Sequence, residues 1–183
     1  LPEIAIVLVI IGLLLGGMLQ GQSLIRGMSF KDTMAIAKDI SASIRYFRER
    51  YNYLPGDLPL ASNDIPGATA ACDGNGDGAI SAAEAACLPQ HLSLAGYIKG
   101  GAGGITSRYG AVRVIARSVS NVTTLPTTIV NVIEFASLPC DVAMELDLKI
   151  DDGDINGGNT RGSSATCTSG GANDPLTFFA VAL

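Results

Sequence analysis

The chain has 183 residues, with 12 Lys and Arg against 17 Asp and Glu, which gives a net charge of −5 at pH 7. This length allows one domain with an appendage and excludes a large multidomain enzyme, and the negative charge provides no basic surface for nucleic acid. Apolar residues make up 48% of the chain and charged residues only 16%, against about 25% charged residues in an average soluble protein, so part of this chain is unusually apolar.

The apolar residues are concentrated at the start of the chain, in the uninterrupted run from Ile4 to Leu19. This run predicts a transmembrane helix, although it is slightly shorter than the about 20 residues needed to cross the hydrocarbon core. A cleaved secretory signal is the alternative, but the run lacks basic residues before it and an A-x-A-like site after it. The glycines at positions 12, 16, 17 and 21 favour either close helix packing or a locally unwound segment.

Glu3 lies directly before this apolar run. A carboxylate near hydrocarbon costs a few kcal/mol unless it reaches the interface or has a partner. Glu3 is therefore either an interfacial flank, stabilised by the positive end of the helix dipole, or an assembly contact for a positive group on a neighbouring subunit.

Beyond Gly21 the helix is predicted to continue in amphipathic form and to end near Asn52. Apolar residues recur at spacings of three and four, while charged residues occupy the other face. The apolar positions are Leu24, Ile25, Met28, Ile36, Ile40, Ile44, Phe47 and Tyr51. The helix should stop there because Leu54 precedes a proline and the residues 55–57 (PGD) favour a turn. A helix from Glu3 to Asn52 would be about 75 Å long.

Residues 73–84 (DGNGDGAISAAE) match the twelve positions of an EF-hand-type calcium loop. The predicted calcium ligands are Asp73, Asn75, Asp77, the carbonyl group of Ala79, Ser81 and Glu84. Gly78 permits the sharp turn, and Glu84 would close the shell with both oxygens. Residues 62–69 cannot form a proper entering helix whereas residues 82–87 can continue helically, so a lone structural calcium loop is predicted rather than a sensor. A solvated Asx-Gly turn is the alternative.

The head is predicted to contain a small antiparallel sheet, over about residues 108–136, that lies on the amphipathic helix. Apolar and polar residues alternate along 109–117 and 127–135, which predicts two strands that form a hairpin. The apolar run 176–183 is predicted to form a third strand. Residues 99–107 (KGGAGGITS) contain too many glycines for a regular element and are predicted to form a loop. Residues 141–149 are predicted to form a short helix.

The four cysteines allow three disulfide pairings, of which two local bridges fit the layout best. These bridges join Cys72 to Cys87 around the calcium loop and Cys140 to Cys167 around a later acidic segment. Disulfides imply an oxidising, exported compartment. A four-thiolate zinc site is disfavoured because the sequence has no C-x₂₋₄-C pair.

The acidic segment after residue 150 is a possible second cation site. Its oxygen ligands would be Asp151, Asp152, Asp154 and Asn156, which are of the types that calcium prefers. Their spacing fits no fixed template, so a solvated acidic loop is the alternative.

No enzyme is predicted from this sequence. His91 has no acid or nucleophile at an informative spacing, and it is interpreted as a surface residue rather than a base. G-x-S-x-G, P-loop and H-E-x-x-H motifs are also missing from the sequence.

Several of these features occur together: an apolar half-helix with one early acid, an amphipathic second half, the sequence YNYLPGD at 51–57 and a Gly-rich head. This combination resembles type IV pilins and their pseudopilin relatives, and LDLKIDDGDINGG (146–158) is similar to an acidic segment in many pilin-like heads. On this comparison Glu3 is the family's acid, and the numbering starts two residues inside a mature chain that begins with an N-methylated Phe. The resemblance implies an α+β fold with a helix at 1–52 and an extracellular head at 53–183.

The resemblance also implies a structural role. The subunit would be processed by a prepilin peptidase, stored in the inner membrane, and polymerised by pilus assembly machinery into a helical homo-oligomeric filament on the cell surface. An apolar rod that leaves a bilayer must bury its surface again, and a bundle of identical rods allows this. A C-terminal region closed by a disulfide is common in the family, and Cys140 with Cys167 is the candidate. The alternatives are a type II secretion pseudopilin, where calcium in the head is familiar, and a membrane-tethered calcium-binding module without a polymer.

Overall fold

The structure is a computed structural model that describes residues 2–100, 103–163, 167 and 175–183. It is an α+β fold in which a long N-terminal helix is followed by a head with a small antiparallel sheet. The helices are α1 (Pro2–Tyr51), α2 (Ala61–Asp64), α3 (Ala82–Leu94) and α4 (Cys140–Ile150). The strands are β1 (Ile105–Thr106), β2 (Ala111–Ala116), β3 (Asn131–Pro139), β4 (Thr160–Gly162) and β5 (Pro175–Ala182).

Helix α1 confirms the single long helix predicted from the sequence. It runs without interruption through the glycines at positions 12, 16, 17 and 21, so the locally unwound alternative is wrong. The helix ends because Asn52 adopts a left-handed conformation, with a φ of 60°, while its N–H still donates to the carbonyl oxygen of Arg48 at 2.8 Å. The turn that follows is closed by a hydrogen bond from the N–H of Asp57 to the carbonyl oxygen of Leu54.

The predicted transmembrane segment is not confirmed. Among the described residues, no helix is both long enough and apolar enough to cross a membrane.

The second half of α1 forms part of the head's core. Ala37, Ile40, Ile44 and Phe47 are buried at spacings of three and four, and they belong to one apolar cluster with residues of α3, α4 and the sheet. Helix α1 has its broadest contacts with α4 and α3, and strand residues complete the same core. The sequence analysis divided the chain into a helix at 1–52 and a head at 53–183. In the structure, the second half of α1 is part of the head's core.

The sheet has the order β1-β2-β3-β5-β4, with every neighbouring pair antiparallel. The predicted hairpin is confirmed, with Val114 opposite Ile133, and the C-terminal run pairs with the same strand, with Phe135 opposite Phe179. Strand β1 corrects the prediction of a loop over 99–107, of which residues 101–102 lie outside the described residues. Strands β1 and β4 were not predicted because two or three residues carry no pattern of their own and are ordered by the strands beside them.

Helices α2 and α4 agree with the sequence analysis, whereas α3 is longer than predicted. Helix α4 confirms the predicted short helix, and the four residues of α2 are only one turn before the loop 73–84. Helix α3 continues to Leu94, well beyond the predicted residue 87, and contains Pro89 in its interior. It begins with a capping box, in which the Ser81 side chain accepts from the N–H of Glu84 while the Glu84 carboxylate accepts from the N–H of Ser81.

The second face of the sheet is covered by the segment between β2 and β3. Val122 and Leu125 of this segment pack with Val132 in a smaller apolar cluster. On the same face Glu134 is almost wholly buried and is ion-paired with Arg113 of the neighbouring strand. A buried carboxylate requires hydrogen-bond donors, and Ser120 and Asn121 supply them in addition to Arg113.

Candidate functional site

The first candidate site is the exposed apolar half of α1. All described side chains from position 3 to position 18 are exposed, and the large apolar ones range from 46% exposed at Ile11 to 72% exposed at Leu13. Space is open beside the helix, because a Cβ added at Gly12, Gly16 or Gly17 would meet no atom within 4 Å apart from the adjoining backbone of α1 itself. An apolar surface of this extent marks a contact with another apolar surface.

Glu3 lies at the exposed end of this surface, in the first turn of α1. The positive end of the helix dipole favours a carboxylate at this position. The predicted positive partner on a neighbouring subunit is not tested by the structure of a single chain.

The second candidate site is the loop 73–84, which wraps around the side chain of Asp57. The Asp57 carboxylate is 1% exposed and accepts hydrogen bonds from the N–H groups of Gly76 at 2.7 Å, Asp77 at 3.2 Å and Gly78 at 2.9 Å. Burial raises the pKa of Asp57, the N–H groups of Gly78 and Gly76 lower it, and the charges of Glu84 and Asp77 raise it further. Asp57 was interpreted from the sequence only as a turn residue, because its partners are about 20 positions away.

The predicted calcium ligands of this loop have separate hydrogen-bond partners. Asp73 accepts from the N–H and the hydroxyl group of Ser62, at 2.7 and 2.9 Å. The Asn75 side chain donates to the Asp77 carboxylate at 2.9 Å, and the Glu84 carboxylate accepts from the N–H groups of Asn75 and Ser81. Within the described residues, Asp73, Asp77 and Glu84 do not form a group of carboxylates that could share one ion. The calcium site at 73–84 therefore remains a prediction.

Asn131, at the start of β3, fastens the middle of the same loop to the sheet. Its side-chain oxygen accepts from the N–H of Ile80 and its side-chain nitrogen donates to the carbonyl oxygen of Gly78, both at 2.8 Å. The carbonyl oxygen of Ile80, the residue in front of Ser81, also accepts from the N–H of Ala116 in β2. Asn131 and the backbone of β2 thus fasten residues 78–80, including the predicted ligand Ala79, to the sheet.

The two local disulfides are present as predicted. Cys72 is bonded to Cys87, and Cys140 is bonded to Cys167, with Cα–Cα distances of 5.5 Å in both cases. The first joins the start of the loop to α3, and the second joins the start of α4 to the segment between β4 and β5. Both bridges stabilise the head mainly by restricting its unfolded chain.

The C-terminal end of α4 and the acidic segment after it together hold the one cluster of three carboxylates found among the described residues. Oxygen atoms of Asp147, Asp151 and Asp152 all lie within 4.8 Å of one another. Two of the four predicted ligands are thus in the cluster. Asp154 and Asn156 form a local turn, in which the Asp154 carboxylate accepts from the N–H of Asn156 at 3.0 Å.

Asp147 was missed by the sequence analysis. It is 0% exposed, and neither carboxylate oxygen has a hydrogen-bond partner in the described part of the chain. The pKa of Asp147 is raised to about 6, chiefly by burial and then by the charges of Asp152, Asp151 and Asp154, while the nearby N–H of Gly153 opposes this rise without reaching hydrogen-bond geometry. The available signal was its position four residues before Asp151, one helical turn away.

His91 is buried, which corrects its interpretation as a surface residue. It is 0% exposed because α3 continues past Pro89 and brings the imidazole against Phe47, with ring centroids 6.2 Å apart. Its Nδ1 accepts from the N–H of Gly56 at 2.9 Å, and burial lowers its pKa. A neutral ring with this contact helps to hold the 55–57 turn against α1.

Comparison with known proteins does not assign this chain to a family. No protein-family model, no curated protein and no solved structure matches the chain. Function must therefore be inferred from the exposed half-helix, the loops and the disulfides themselves.

Proposed function

We propose that this protein is a pilin-like structural subunit that polymerises through the N-terminal half of α1 into an extracellular type IV filament. The observation that carries this proposal is the contrast between the two halves of one continuous helix. The second half is buried in the head through Ala37, Ile40, Ile44 and Phe47, whereas the first half is an exposed apolar rod. A helix with this division suits a subunit that inserts one end among its neighbours and presents its head outside.

The size of the apolar surface favours assembly with several neighbours. Between Ile4 and Met18 the large apolar side chains are about half to three-quarters exposed. Burying such side chains yields about 1 kcal/mol each, or of the order of 10 kcal/mol for the segment. Because association costs about 4–15 kcal/mol in translational and rotational freedom, contact along one side of the rod is barely sufficient. A bundle that surrounds the rod on all sides gives a stable assembly.

Two features of the head support an extracellular location. Its two disulfides require an oxidising compartment, and the loop 73–84 and the acidic segment after α4 supply oxygen ligands for extracellular calcium. Before assembly, the apolar end of α1 would be held at the inner membrane, with the prepilin peptidase and the pilus assembly machinery as partners.

Glu3 would act in assembly. A neighbour's positive group, such as an N-terminal amine, would compensate the cost of moving this carboxylate into an apolar bundle. In the isolated chain the carboxylate is exposed to solvent, so its contribution appears only in the polymer.

The test is to express the full chain in a cell that has a type IV assembly machinery but lacks its own major pilin. Sheared surface material is examined by negative-stain electron microscopy and probed for the chain. We expect filaments with the wild-type chain, none with Glu3→Ala, and normal filaments with the matched control Glu49→Ala, which removes an exposed acid at the other end of α1. Filaments of normal abundance from Glu3→Ala would contradict the role of Glu3.

The same images separate the alternatives. A chain that remains dispersed in the membrane fraction, with no filaments even for the wild type, would overturn the proposal in favour of a tethered calcium-binding module. Short surface structures that form only together with a type II secretion system would indicate a pseudopilin.

A further inference from the structure

Asp147 is a buried carboxylate without a partner. It lies near the C-terminal end of α4 with none of its surface exposed, and both of its carboxylate oxygens lack hydrogen-bond donors within the described residues. Buried carboxylates are normally ion-paired, hydrogen-bonded or bound to a metal, because an uncompensated charge away from water is strongly unfavourable. Among the described residues, Asp147 also has no ion-pair partner.

The nearest charged groups to Asp147 are further carboxylates, which add negative charge at the same place. Oxygens of Asp151 and Asp152 lie within 4.8 Å of Asp147 and of each other, and like charges so close repel one another. All three residues are at the C-terminal end of α4, where the helix dipole is negative and disfavours anions. Asp151 accepts from the N–H groups of Asn159 and Thr160, and Asp152 accepts from the N–H of Asp154 at 2.9 Å, but Asp147 has no such donor in the described part of the chain. A cation shared by the three carboxylates, or their protonation, would remove the remaining repulsion.

Neighbouring basic side chains do not supply that charge. Arg161 donates from Nε to the carbonyl oxygens of Gly157 and Gly158, both at 3.0 Å, rather than to a carboxylate. The one ion pair in the described part of the chain is elsewhere, between Arg113 and Glu134. The cluster is thus open to an external cation.

We propose that Asp147, Asp151 and Asp152 bind a divalent cation, and that this cation is calcium. Two oxygens bound to the same calcium ion can be no more than about 5 Å apart, because each Ca–O distance is about 2.3–2.6 Å. The 4.8 Å limit on the carboxylate separations satisfies this condition without any movement of the chain. Calcium also tolerates the irregular set of six to eight oxygens that a loop provides, whereas magnesium requires nearly octahedral geometry.

The loop that follows leaves room for these oxygens. A Cβ added at Gly157 would lie 3.2 Å from Oδ2 of Asp152 and 3.1 Å from Oδ2 of Asp154, and one added at Gly158 would lie 3.0 Å from the same Asp152 oxygen. Gly158 also has a φ of +58°, which other residues adopt with strain. The two glycines bring the backbone against the carboxylates, and Asp154, loop carbonyl groups and water would complete the coordination.

The bound ion would connect the end of α4 to the turn before β4. This segment lies inside the loop that the Cys140–Cys167 disulfide closes, so the ion and the disulfide would restrict the same part of the head. The site is formed by one chain and does not depend on the proposed filament.

The test is isothermal titration of the full-length chain in detergent with calcium chloride. We expect the wild type to bind with a dissociation constant of about 10⁻⁴–10⁻³ M, the range of extracellular modules. Asp147→Asn and Asp152→Asn should each weaken this binding about tenfold or more, since each removes a charged ligand. Magnesium chloride at equal concentration should compete poorly, and equal competition would overturn the assignment of calcium.

Three controls make the result specific. Glu145→Gln removes an exposed acid on the same helix, two residues from Asp147, and should bind calcium as the wild type does. Asp77→Asn alters the loop 73–84 and should leave this site unchanged, so the two candidate sites are counted separately. Circular dichroism establishes that each variant is folded, and if Asp147→Asn does not fold, the exposed Asp152 gives the same test. Wild-type affinity and stoichiometry in Asp152→Asn, or calcium binding that only Asp77→Asn removes, would overturn the proposal.

Discussion

Oδ2 of Asp57 accepts the backbone N–H of Gly78 at 2.9 Å, across 21 positions of sequence. The other oxygen of the same carboxylate takes the N–H groups of Gly76 and Asp77. Three successive N–H groups of the loop thus converge on one buried anion supplied by the turn after α1. The Asp57 carboxylate thus holds the loop in shape through hydrogen bonds alone. Because Asp57 belongs to the turn after α1, these bonds also join the loop to the end of that helix.

Replacement of Asp57 by asparagine should therefore destabilise the head. The amide has nearly the same shape but only one acceptor oxygen, so at least one loop N–H becomes unsatisfied, at a cost of about 1–3 kcal/mol. The midpoint of urea unfolding of the full chain in detergent measures the effect. Asp64→Asn, an exposed residue in α2, is the matched control and should not change the midpoint. Equal midpoints for the two variants would show that the Asp57 contacts contribute nothing.

Calcium binding by the loop 73–84 should respond to Ser62. The Ser62 hydroxyl group donates to Oδ2 of Asp73 at 2.9 Å and competes with an ion for that oxygen. Ser62→Ala should thus strengthen the calcium-dependent rise in melting temperature, whereas Asp73→Ala together with Glu84→Ala should abolish the loop's share of it. At a hundredfold excess over the dissociation constant the full effect of one ion is about 2.7 kcal/mol. An unchanged calcium response in Ser62→Ala would indicate that Asp73 is not a ligand.

Removal of the first disulfide should lower stability without unfolding the loop. In the chain-entropy model, a bridge across about 15 residues contributes about 3 kcal/mol, and Cys72–Cys87 has this separation. Asp57 and Asn131 hold the same loop through hydrogen bonds, so the folded state should persist. Cys72→Ser with Cys87→Ser is compared with the wild type by urea unfolding and circular dichroism. A native spectrum with an unchanged midpoint would contradict the expected contribution.

Regular elements were predictable from the sequence because their patterns are local. The spacing of Ile40, Ile44 and Phe47 predicts the buried face of α1, and the alternation around Val112 and Val114 predicts β2. Short strands such as β1 escape this reasoning, since a neighbouring strand imposes their hydrogen bonds.

The candidate sites were less predictable because they depend on residues that the fold brings together. The acids of 73–84 fit a calcium template in sequence, yet the structure gives Asp73 and Glu84 separate partners. Asp57 and Asp147 carry no motif, and their roles arise from burial beside residues on other elements. His91 was misplaced for the same reason, since only the extension of α3 past Pro89 turns it inward.

Glu134 predicts how the head responds to acid. Burial alone would raise the pKa of Glu134, but the Arg113 guanidinium and hydrogen bonds from Ser120 and Asn121 outweigh it and leave the pKa lowered from its usual value of 4.5. Its carboxylate accepts from the Ser120 hydroxyl group at 2.8 Å, from the Asn121 N–H at 2.7 Å and from the Asn121 side-chain nitrogen at 3.0 Å. A carboxyl group with a lowered folded-state pKa stabilises the fold fully above its unfolded pKa, and this contribution is lost as the pH falls through the folded value.

Unfolding free energy should therefore fall between about pH 4.5 and the lower pKa of the folded state, and Glu134→Gln should remove this part of the pH dependence. The amide cannot pair with Arg113 and keeps one acceptor oxygen, so the variant should be less stable than the wild type by about 1–3 kcal/mol at pH 7 and nearer to it in strong acid. Urea unfolding at a series of pH values, with Glu145→Gln as the exposed control, measures the difference. A gap between wild type and Glu134→Gln that stays constant from neutral pH to pH about 2 would contradict the assignment, because deprotonation of Glu134 in the folded state is the source of the expected slope.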